Sequence, residues 1–186
     1  MRAATRTKYG PPNVLKVRET AEPTPTANQL LVRVRATTVN RTDVAILTGK
    51  PFPMRFFTGL SKPRSPVLGT DFAGDVVEVG SEVTGFRTGQ RVWGFNDNGL
   101  PSQAEALTID QDNAIAEIPE GITYAQAAAS AEGAHYALNF LKRGHYVAGQ
   151  RVLVYGATGA IGSAAVQILK ANGSHVAATC RPEHFT

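Results

Sequence analysis

The chain contains 186 residues, of which 42% are hydrophobic and 18% are charged, a mixture typical of globular proteins rather than disordered or collagen-like ones. Nineteen Lys and Arg against fifteen Asp and Glu give a net charge of +4, and the basic residues are scattered, so we expect no nucleic-acid partner. The single cysteine, Cys180, excludes a disulfide framework and a structural zinc site built from several thiolates.

We expect neither a membrane span nor a signal peptide in this sequence. No apolar run approaches the roughly 18 residues that a membrane-spanning helix needs. The N-terminal stretch MRAATRTKYGPPNVL carries charges where a signal peptide needs an apolar segment. We therefore expect a soluble, cytoplasmic protein with no membrane partner.

A change of composition near Gly121 indicates two domains. Ten of the eleven prolines lie between Pro11 and Pro119, where short β-like runs alternate with Gly, Pro, Asn and Asp. The predicted strands there cover residues 30–39, 75–79 and 91–95. Residues 1–123 are therefore predicted to form a mostly β domain.

Residues 124–186 are rich in alanine and contain one proline, which favours helices. The predicted elements are a helix over 124–141, an apolar strand over 151–155, a helix over 160–172 and a second strand over 175–179. This order describes one βαβ unit, the first unit of an α/β domain.

Between the predicted strand 151–155 and its helix lies the glycine-rich turn Gly156-Ala157-Thr158-Gly159-Ala160-Ile161-Gly162. Glycine is needed where a chain reverses sharply, approaches a diphosphate closely and packs a helix tightly on its strand. The alternative is an ordinary glycine-rich turn with no ligand. Because both flanking elements fit, we predict that this turn binds the diphosphate of a dinucleotide.

The second strand of the unit indicates which dinucleotide binds. An Asp or Glu at its tip usually bonds the ribose hydroxyls of NAD, but here the strand ends at Thr179-Cys180-Arg181. A guanidinium can bind a 2′-phosphate with two hydrogen bonds. We therefore predict NADPH, with Cys180 and Arg181 as candidate contacts. The alternative is that Arg181 is a solvated surface charge, and the nearby Glu183 keeps that question open.

Five further stretches carry a family resemblance. They are Lys8-Tyr9-Gly10-Pro11-Pro12, Val39-Asn40-Arg41-Thr42-Asp43, Leu68-Gly69-Thr70-Asp71-Phe72-Ala73-Gly74, Gly89-Gln90-Arg91-Val92 and Gly149-Gln150-Arg151-Val152. With the glycine turn, they make the chain resemble the medium-chain dehydrogenases/reductases, specifically the zinc-independent quinone oxidoreductase-like branch. The resemblance implies a β-rich GroES-like catalytic domain, the start of a Rossmann domain, a substrate cleft between them, and a homodimer in the full-length form.

At the positions of the zinc ligands, this chain differs from the zinc-dependent members of that family. Where those members have a catalytic Cys, this chain has Asn40, and where they have a His-Glu pair it has Thr70-Asp71. The third ligand would fall near Ala129, and the cysteine-rich lobe is absent. The four histidines have no ligand spacing. We expect no catalytic and no structural zinc.

Chemistry without a metal favours conjugated acceptors. Hydride delivery to a simple ketone needs strong polarisation of its oxygen, whereas a quinone or an α,β-unsaturated carbonyl spreads the developing charge by conjugation. The expected reaction is therefore reduction of a quinone or enone by NADPH, with the proton supplied by a side chain or water.

The resemblance makes Asn40, Asp43 and Thr70 the candidate catalytic residues. Each has an alternative: Asn40 and Asp43 also match a helix-capping pattern, and the Thr70 hydroxyl could bond to its own turn. Many relatives have a tyrosine where this chain has Ala45, so the proton donor is open.

Other stretches are predicted to shape the site. Gly133 matches a family stretch that passes the nicotinamide, where a small residue leaves room for the ring; the alternative is a plain helix-packing contact. Three aromatic residues of a Pro-rich loop could line an apolar pocket or simply pack, namely Phe52, Phe56 and Phe57.

Only 36 residues follow Gln150, enough for one βαβ unit but not for the six-stranded sheet of a dinucleotide domain. We therefore expect a fragment of a longer oxidoreductase. The alternative function is a non-catalytic binding or structural product that retains the GroES-like domain.

Overall fold

The computed structural model describes residues 1–96 and 99–184, and its contacts divide the chain into two units, Met1–Ala129 and Ser130–Thr186. The strands and α-helices follow in chain order: β1 (Arg2–Thr5), β2 (Lys16–Glu19), β3 (Gln29–Ala36), α1 (Arg41–Thr48), α2 (Met54–Thr58), β4 (Asp71–Val79), β5 (Arg91–Phe95), β6 (Ala106–Asp110), β7 (Ala114–Glu117), α3 (Tyr124–Arg143), β8 (Arg151–Tyr155), α4 (Ala160–Ala171) and β9 (His175–Thr179). The helix α3 begins in the first unit and ends in the second.

The first unit is built on a five-stranded antiparallel sheet with the order β6-β3-β4-β5-β7, and β1 and β2 form a separate antiparallel pair. Apolar side chains from β3, β4, β5 and β6 form its main core. The fully buried ones are Leu30, Val32, Phe72, Val76, Val92 and Leu107. Burying one such side chain contributes roughly 1.5–3 kcal/mol, so this cluster fixes which face of each strand points inward.

The strand β4 is longer than the sequence analysis predicted, because it begins at Asp71 rather than Asp75. Its register with β3 shifts between Val34 and Ala36, close to its start. Gly74 permits this pairing, since a Cβ there would lie 2.2 Å from the backbone oxygen of Arg33. The shift and the early start bring the first residues of β4 beside the segment that leads from β3 into α1.

The helix α1 begins after Asn40 and ends at Gly49, as the capping pattern predicts. Gly49 has φ +61°, a left-handed conformation that glycine adopts without strain. Ile46 and Leu47 pack against Leu68, just ahead of β4. This small core fixes α1 next to the start of β4.

The second unit contains the predicted βαβ order. The strands β8 and β9 have the predicted bounds and pair in parallel, from Arg151 opposite His175 to Tyr155 opposite Thr179. Leu169 of α4 and Val154 of β8 are buried. The domain boundary predicted between residues 123 and 124 coincides with the first residue of α3 and stays a prediction. Within residues 1–96 and 99–184, no helix is both long and apolar enough to cross a membrane.

Candidate functional site

Asn40 caps α1 through a reciprocal pair of hydrogen bonds. Its Oδ1 accepts from the backbone N–H of Asp43 at 2.9 Å, and Asp43 Oδ2 accepts from the backbone N–H of Asn40 at 3.0 Å. Asp43 is 2% exposed. The capping alternative for both residues is therefore confirmed, and their catalytic role stays a prediction.

The other end of the Asn40 amide faces β4. Its Nδ2 donates to Thr70 Oγ1 at 2.8 Å and to Asp71 Oδ2 at 2.9 Å. A flip of the amide would set Nδ2 against the Asp43 N–H and Oδ1 against the Asp71 carboxylate, both unfavourable contacts. The orientation of Asn40 is therefore fixed by its neighbours.

Asp71 is the centre of this hydrogen-bond network. Its Oδ2 accepts from Thr38 Oγ1 at 2.5 Å, from Asn40 Nδ2 at 2.9 Å and from Thr70 Oγ1 at 3.2 Å. The residue is 1% exposed, and these donors offset the cost of burying a carboxylate. Sequence reasoning placed Asp71 at a zinc-ligand position of related enzymes but gave it no role here.

Thr70 has no exposed surface, so any role for its hydroxyl runs through Asn40 and Asp71. The Thr70 hydroxyl accepts a hydrogen bond from Asn40 Nδ2 and donates one to the carboxylate of Asp71, the next residue in sequence. Asn40 and Thr38 are the half-buried members of the network. The structure thus brings Asn40 and Thr70 into direct contact, and the catalytic role of Thr70 stays a prediction.

A second set of polar groups extends the network towards a groove. Thr37 Oγ1 donates to the backbone oxygen of Asp71 at 2.7 Å and lies 2.9 Å from Ser102 Oγ. Thr37 and Ser102 line a groove of about 380 Å³, together with Val34 and Ala36. Sequence reasoning missed Thr37, Thr38 and Ser102; the run of two threonines just ahead of Asn40 was the available signal.

Two neighbouring side chains lower the pKa of Asp75, which lies further along β4. Tyr124 Oη donates to Asp75 Oδ1 at 2.5 Å, and Arg35 Nε lies 2.7 Å from Oδ2. Burial by itself raises the pKa of Asp75, but the hydrogen bonds from Tyr124 and Arg35 outweigh it and lower that pKa. The hydrogen bond to Asp75 also raises the pKa of Tyr124.

The glycine turn of the second unit has the backbone geometry that close approach requires. Gly156 has φ +77°, and a Cβ at position 162 would lie 2.3 Å from the Gly156 carbonyl oxygen. Gly159 caps α4 without a side-chain hydrogen bond. Because the first N–H groups of a helix lack partners within the helix, the start of α4 offers donors and a positive dipole end.

The tip of β9 lies beside this turn, since the N–H of Ala157 donates to the backbone oxygen of Thr179 at 3.1 Å. Arg181 follows two residues later with a side chain 82% exposed, 3.8 Å from a Glu183 oxygen. Cys180 is half-buried. The guanidinium is accessible, as binding requires, and the solvated alternative also fits; the assignment of both residues stays a prediction.

Gly133 of α3 lies against the start of α4. A Cβ there would lie 2.7 Å from the backbone oxygen of Ala160 and 3.5 Å from the Cβ of Ala164. The packing alternative therefore explains why this position is glycine. Its predicted contact with a nicotinamide stays a prediction.

Comparison with known proteins identifies the family. The profile described as the alcohol dehydrogenase GroES-like domain matches residues 26–139. The chain belongs to this GroES-like family. This confirms the predicted fold class, a GroES-like domain followed by the first βαβ unit of a Rossmann domain, and the resemblance to the quinone oxidoreductase-like branch.

Two relatives and one solved structure show the extent of the similarity of this GroES-like family member. It is 33% identical over 186 residues to the quinone oxidoreductase of Homo sapiens, covering 98% of this chain and 54% of that protein. It is 38% identical over 162 residues to a mycocerosic acid synthase-like polyketide synthase of Mycobacterium tuberculosis, covering 86% of this chain and 7% of that protein.

The solved structure is the Escherichia coli quinone oxidoreductase complexed with NADPH, with a TM-score of 0.75 and 30% identity, covering 96% of this chain and 52% of that one. The chain therefore spans about half the length of the quinone oxidoreductases that it matches.

The side chains of the GroES-like unit that occupy the expected ligand positions are poor ligands for zinc. In the part of the chain that the structure describes, no three His, Cys, Asp or Glu side chains are grouped as metal ligands. Asn40 and Thr70 present an amide and a hydroxyl that already bond to each other. Zinc prefers thiolate, imidazole and carboxylate donors. The expectation that no zinc takes part stays a prediction.

Proposed function

We propose that this chain is part of an NADPH-dependent oxidoreductase that reduces quinones or α,β-unsaturated carbonyls by hydride transfer without zinc. The observation that carries the proposal is the glycine turn at residues 156–162, which opens α4 without a side-chain cap. The quinone oxidoreductases of Homo sapiens and Escherichia coli support the reaction class, and the complex of the latter with NADPH supports the coenzyme.

The turn fits a diphosphate because its glycines allow the backbone to fold tightly at the start of α4. Gly156 adopts a positive φ and Gly162 leaves no room for a Cβ, so backbone N–H groups can approach phosphate oxygens. Arg181 would hold the 2′-phosphate that distinguishes NADPH from NADH. When bound, NADPH supplies the hydride.

The network around Asp71 holds the polar groups of the catalytic unit in fixed directions. Asp71 Oδ2 accepts from the hydroxyls of Thr38 and Thr70, so these hydroxyls direct their protons inward. Asn40 directs both of its amide protons inward as well. We therefore assign the proton that follows the hydride to water rather than to these side chains.

A conjugated acceptor matches such a site. The negative charge that develops on its oxygen is spread over several atoms, so a fixed arrangement of dipoles is sufficient. Asn40 stands at the N-terminal, positive end of α1, which favours negative charge nearby. A simple ketone would need stronger polarisation, so we expect selectivity for quinones and enones.

The test combines coenzyme binding with an acceptor panel. The full-length protein that contains this chain is titrated with NADPH by calorimetry, then mixed with NADPH and a quinone, an enone or a simple ketone while the absorbance of the reduced coenzyme is followed. We expect binding, and oxidation with the quinone or the enone alone. Binding without turnover of any acceptor would contradict the reductase assignment and favour the non-catalytic alternative.

A variant of the turn isolates the part played by the diphosphate site. Gly162→Ala places a Cβ against the Gly156 carbonyl and should weaken NADPH binding by at least about tenfold. Gly85→Ala is the matched control, because a Cβ there meets only Gln111 Oε1 at 3.8 Å. If both variants bind NADPH like the parent chain, the turn is not the coenzyme site.

A further inference from the structure

A patch of exposed apolar side chains lies between α1 and β4. Phe52, Phe56, Phe57 and Leu60 are 58%, 56%, 74% and 57% exposed. Isolated apolar residues on a surface are ordinary, but a contiguous group of bulky ones marks an interaction site. We call these four side chains and the basic side chains of residues 50–64 the aromatic–basic surface.

The patch has a defined local structure. The rings of Phe52 and Phe56 meet edge to face with centroids 6.0 Å apart. Beyond α2, Gly59 turns the chain with φ +118°, and the N–H of Arg64 donates to the backbone oxygen of Thr58 at 2.8 Å. Arg64 Nη1 also donates to the backbone oxygen of Phe57 at 3.2 Å. The loop is therefore folded back on α2, which keeps its basic and apolar side chains together.

The segment that carries these apolar side chains is also basic. Residues 44–70 contain no Asp or Glu and four basic residues, namely Lys50, Arg55, Lys62 and Arg64. Their charge of +4 equals the net charge of the whole chain, so the other residues together are neutral. In the described ranges, none of these four is within ion-pair distance of a carboxylate.

We propose that the aromatic–basic surface binds the face of a lipid bilayer that contains anionic lipids. Exposed Phe and Leu side chains enter the boundary between headgroups and acyl chains, while Lys and Arg attract anionic headgroups. Charge complementarity favours this occupant, because four basic side chains and no carboxylate lie in the same segment as the exposed aromatic side chains. The proposal replaces the expectation of no membrane partner, which rested on the lack of an apolar run.

The fold orients such a contact. Lys50 follows directly on the C-terminal end of α1, whereas Asn40 caps the N-terminal end. An eight-residue helix is about 12 Å long, so α1 separates the lipid contact from the network around Asp71. Binding at this surface would therefore leave that network intact.

Cosedimentation with vesicles tests the proposal on the chain itself. The probes are vesicles of phosphatidylcholine alone and vesicles of equal parts phosphatidylcholine and phosphatidylglycerol. We expect binding to the anionic vesicles alone, reduced by added salt, since screening weakens exposed charges. Two variants, the double substitution Phe57→Ser with Leu60→Ser and the single Lys62→Glu, should each lower the partition coefficient by about tenfold or more.

Matched substitutions elsewhere serve as controls. Val17→Ser removes another apolar side chain, 75% exposed, and Arg87→Glu reverses another exposed charge. Both should bind vesicles like the parent chain, and circular dichroism melts should show all variants folded. Equal binding to both vesicle types, no binding, or equal loss in variants and controls would overturn the proposal.

Sedimentation velocity tests whether a second copy of the chain, rather than a membrane, binds the aromatic–basic surface. If the parent chain self-associates, ignores vesicles and becomes monomeric with Phe57→Ser and Leu60→Ser, the surface joins two copies and the membrane proposal is wrong. If anionic vesicles bind a monomer and the variants release it, the proposal is supported.

Discussion

The Asn40 side-chain amide donates to the buried Asp71 carboxylate across 2.9 Å, joining the cap of α1 to the first residue of β4. The two residues are 31 positions apart in sequence. The Asn40 side chain thus caps the start of α1 and also bonds to the sheet. Without this link, the segment between β3 and α1 would rest on Thr37 and Thr38 for its polar contacts with β4.

Asp71→Asn should destabilise the first unit. An amide nitrogen or oxygen replaces the oxygen that accepts from Thr38, Asn40 and Thr70, and a buried donor left unpaired costs about 1–3 kcal/mol. We expect the free energy of unfolding, measured by urea titration, to fall by about 2 kcal/mol.

Two further substitutions give smaller expected losses of unfolding free energy for comparison with Asp71→Asn. Thr38→Val removes one of the donors and should cost less than Asp71→Asn. Glu120→Gln changes an exposed carboxylate and should stay within about 0.5 kcal/mol of the parent. A loss no larger for Asp71→Asn than for Glu120→Gln would mean that the carboxylate does not hold the network.

The two functions of the Asn40 side chain can be separated by substitution. Asn40→Ala removes both the cap of α1 and the bonds to Thr70 and Asp71, whereas Asn40→Ser keeps an N-cap oxygen. Loss of an N-cap costs about 1 kcal/mol, so Asn40→Ala should be less stable than Asn40→Ser by about that amount.

Asn40→Ser should in turn be less stable than the parent, because the link to β4 is lost. Urea titration of the three chains measures both steps. Equal stability of Asn40→Ser and the parent chain would show that the bonds to β4 contribute nothing.

Features set by neighbouring residues were predictable, whereas those set by distant ones were not. The bounds of α1 follow from Asn40, Asp43 and Gly49, all within ten positions of sequence. The glycine turn could be predicted because its pattern lies in consecutive residues. The role of Asp71 was not, because its partner Asn40 becomes its neighbour only when β3 and β4 pair.

The missed strands have the same explanation. The strand β2, Lys16–Glu19, is exposed throughout and contains one apolar residue, so alternation gives no signal there. It forms because its backbone pairs with β1. The exposed aromatic residues of the loop after α1 could be read from sequence as pocket or packing residues, but their exposure could not.

The pair of Asp75 and Tyr124 predicts a dependence of stability on pH. The pKa of Asp75 is lowered in the folded chain, so its contribution is present above about pH 4 and is lost as the pH falls through the folded pKa. The pKa of Tyr124 is raised, so its contribution is present below about pH 10 and is lost as the pH rises through the folded pKa.

Tyr124→Phe should therefore cost about 1 kcal/mol at neutral pH and flatten both the acid and the alkaline change of stability. Melting temperatures across the pH range measure this. Tyr155→Phe is the control, since Tyr155 is 90% exposed and should behave like the parent chain. Parallel pH profiles for Tyr124→Phe and the parent would contradict the coupling of Tyr124 to Asp75.

If Arg181 binds the 2′-phosphate, the protein should prefer NADPH to NADH. If its guanidinium contacts the 2′-phosphate, Arg181→Glu removes a charge-assisted contact and adds a repulsive charge, so NADPH should bind at least about tenfold more weakly. NADH lacks that phosphate and should lose little. Calorimetric titration of both coenzymes gives the ratio, and Arg151→Glu, an exposed position at the start of β8, controls for the general effect of charge. Equal losses for NADPH and NADH would assign Arg181 to the solvated surface, since a group that reads the 2′-phosphate must discriminate between them.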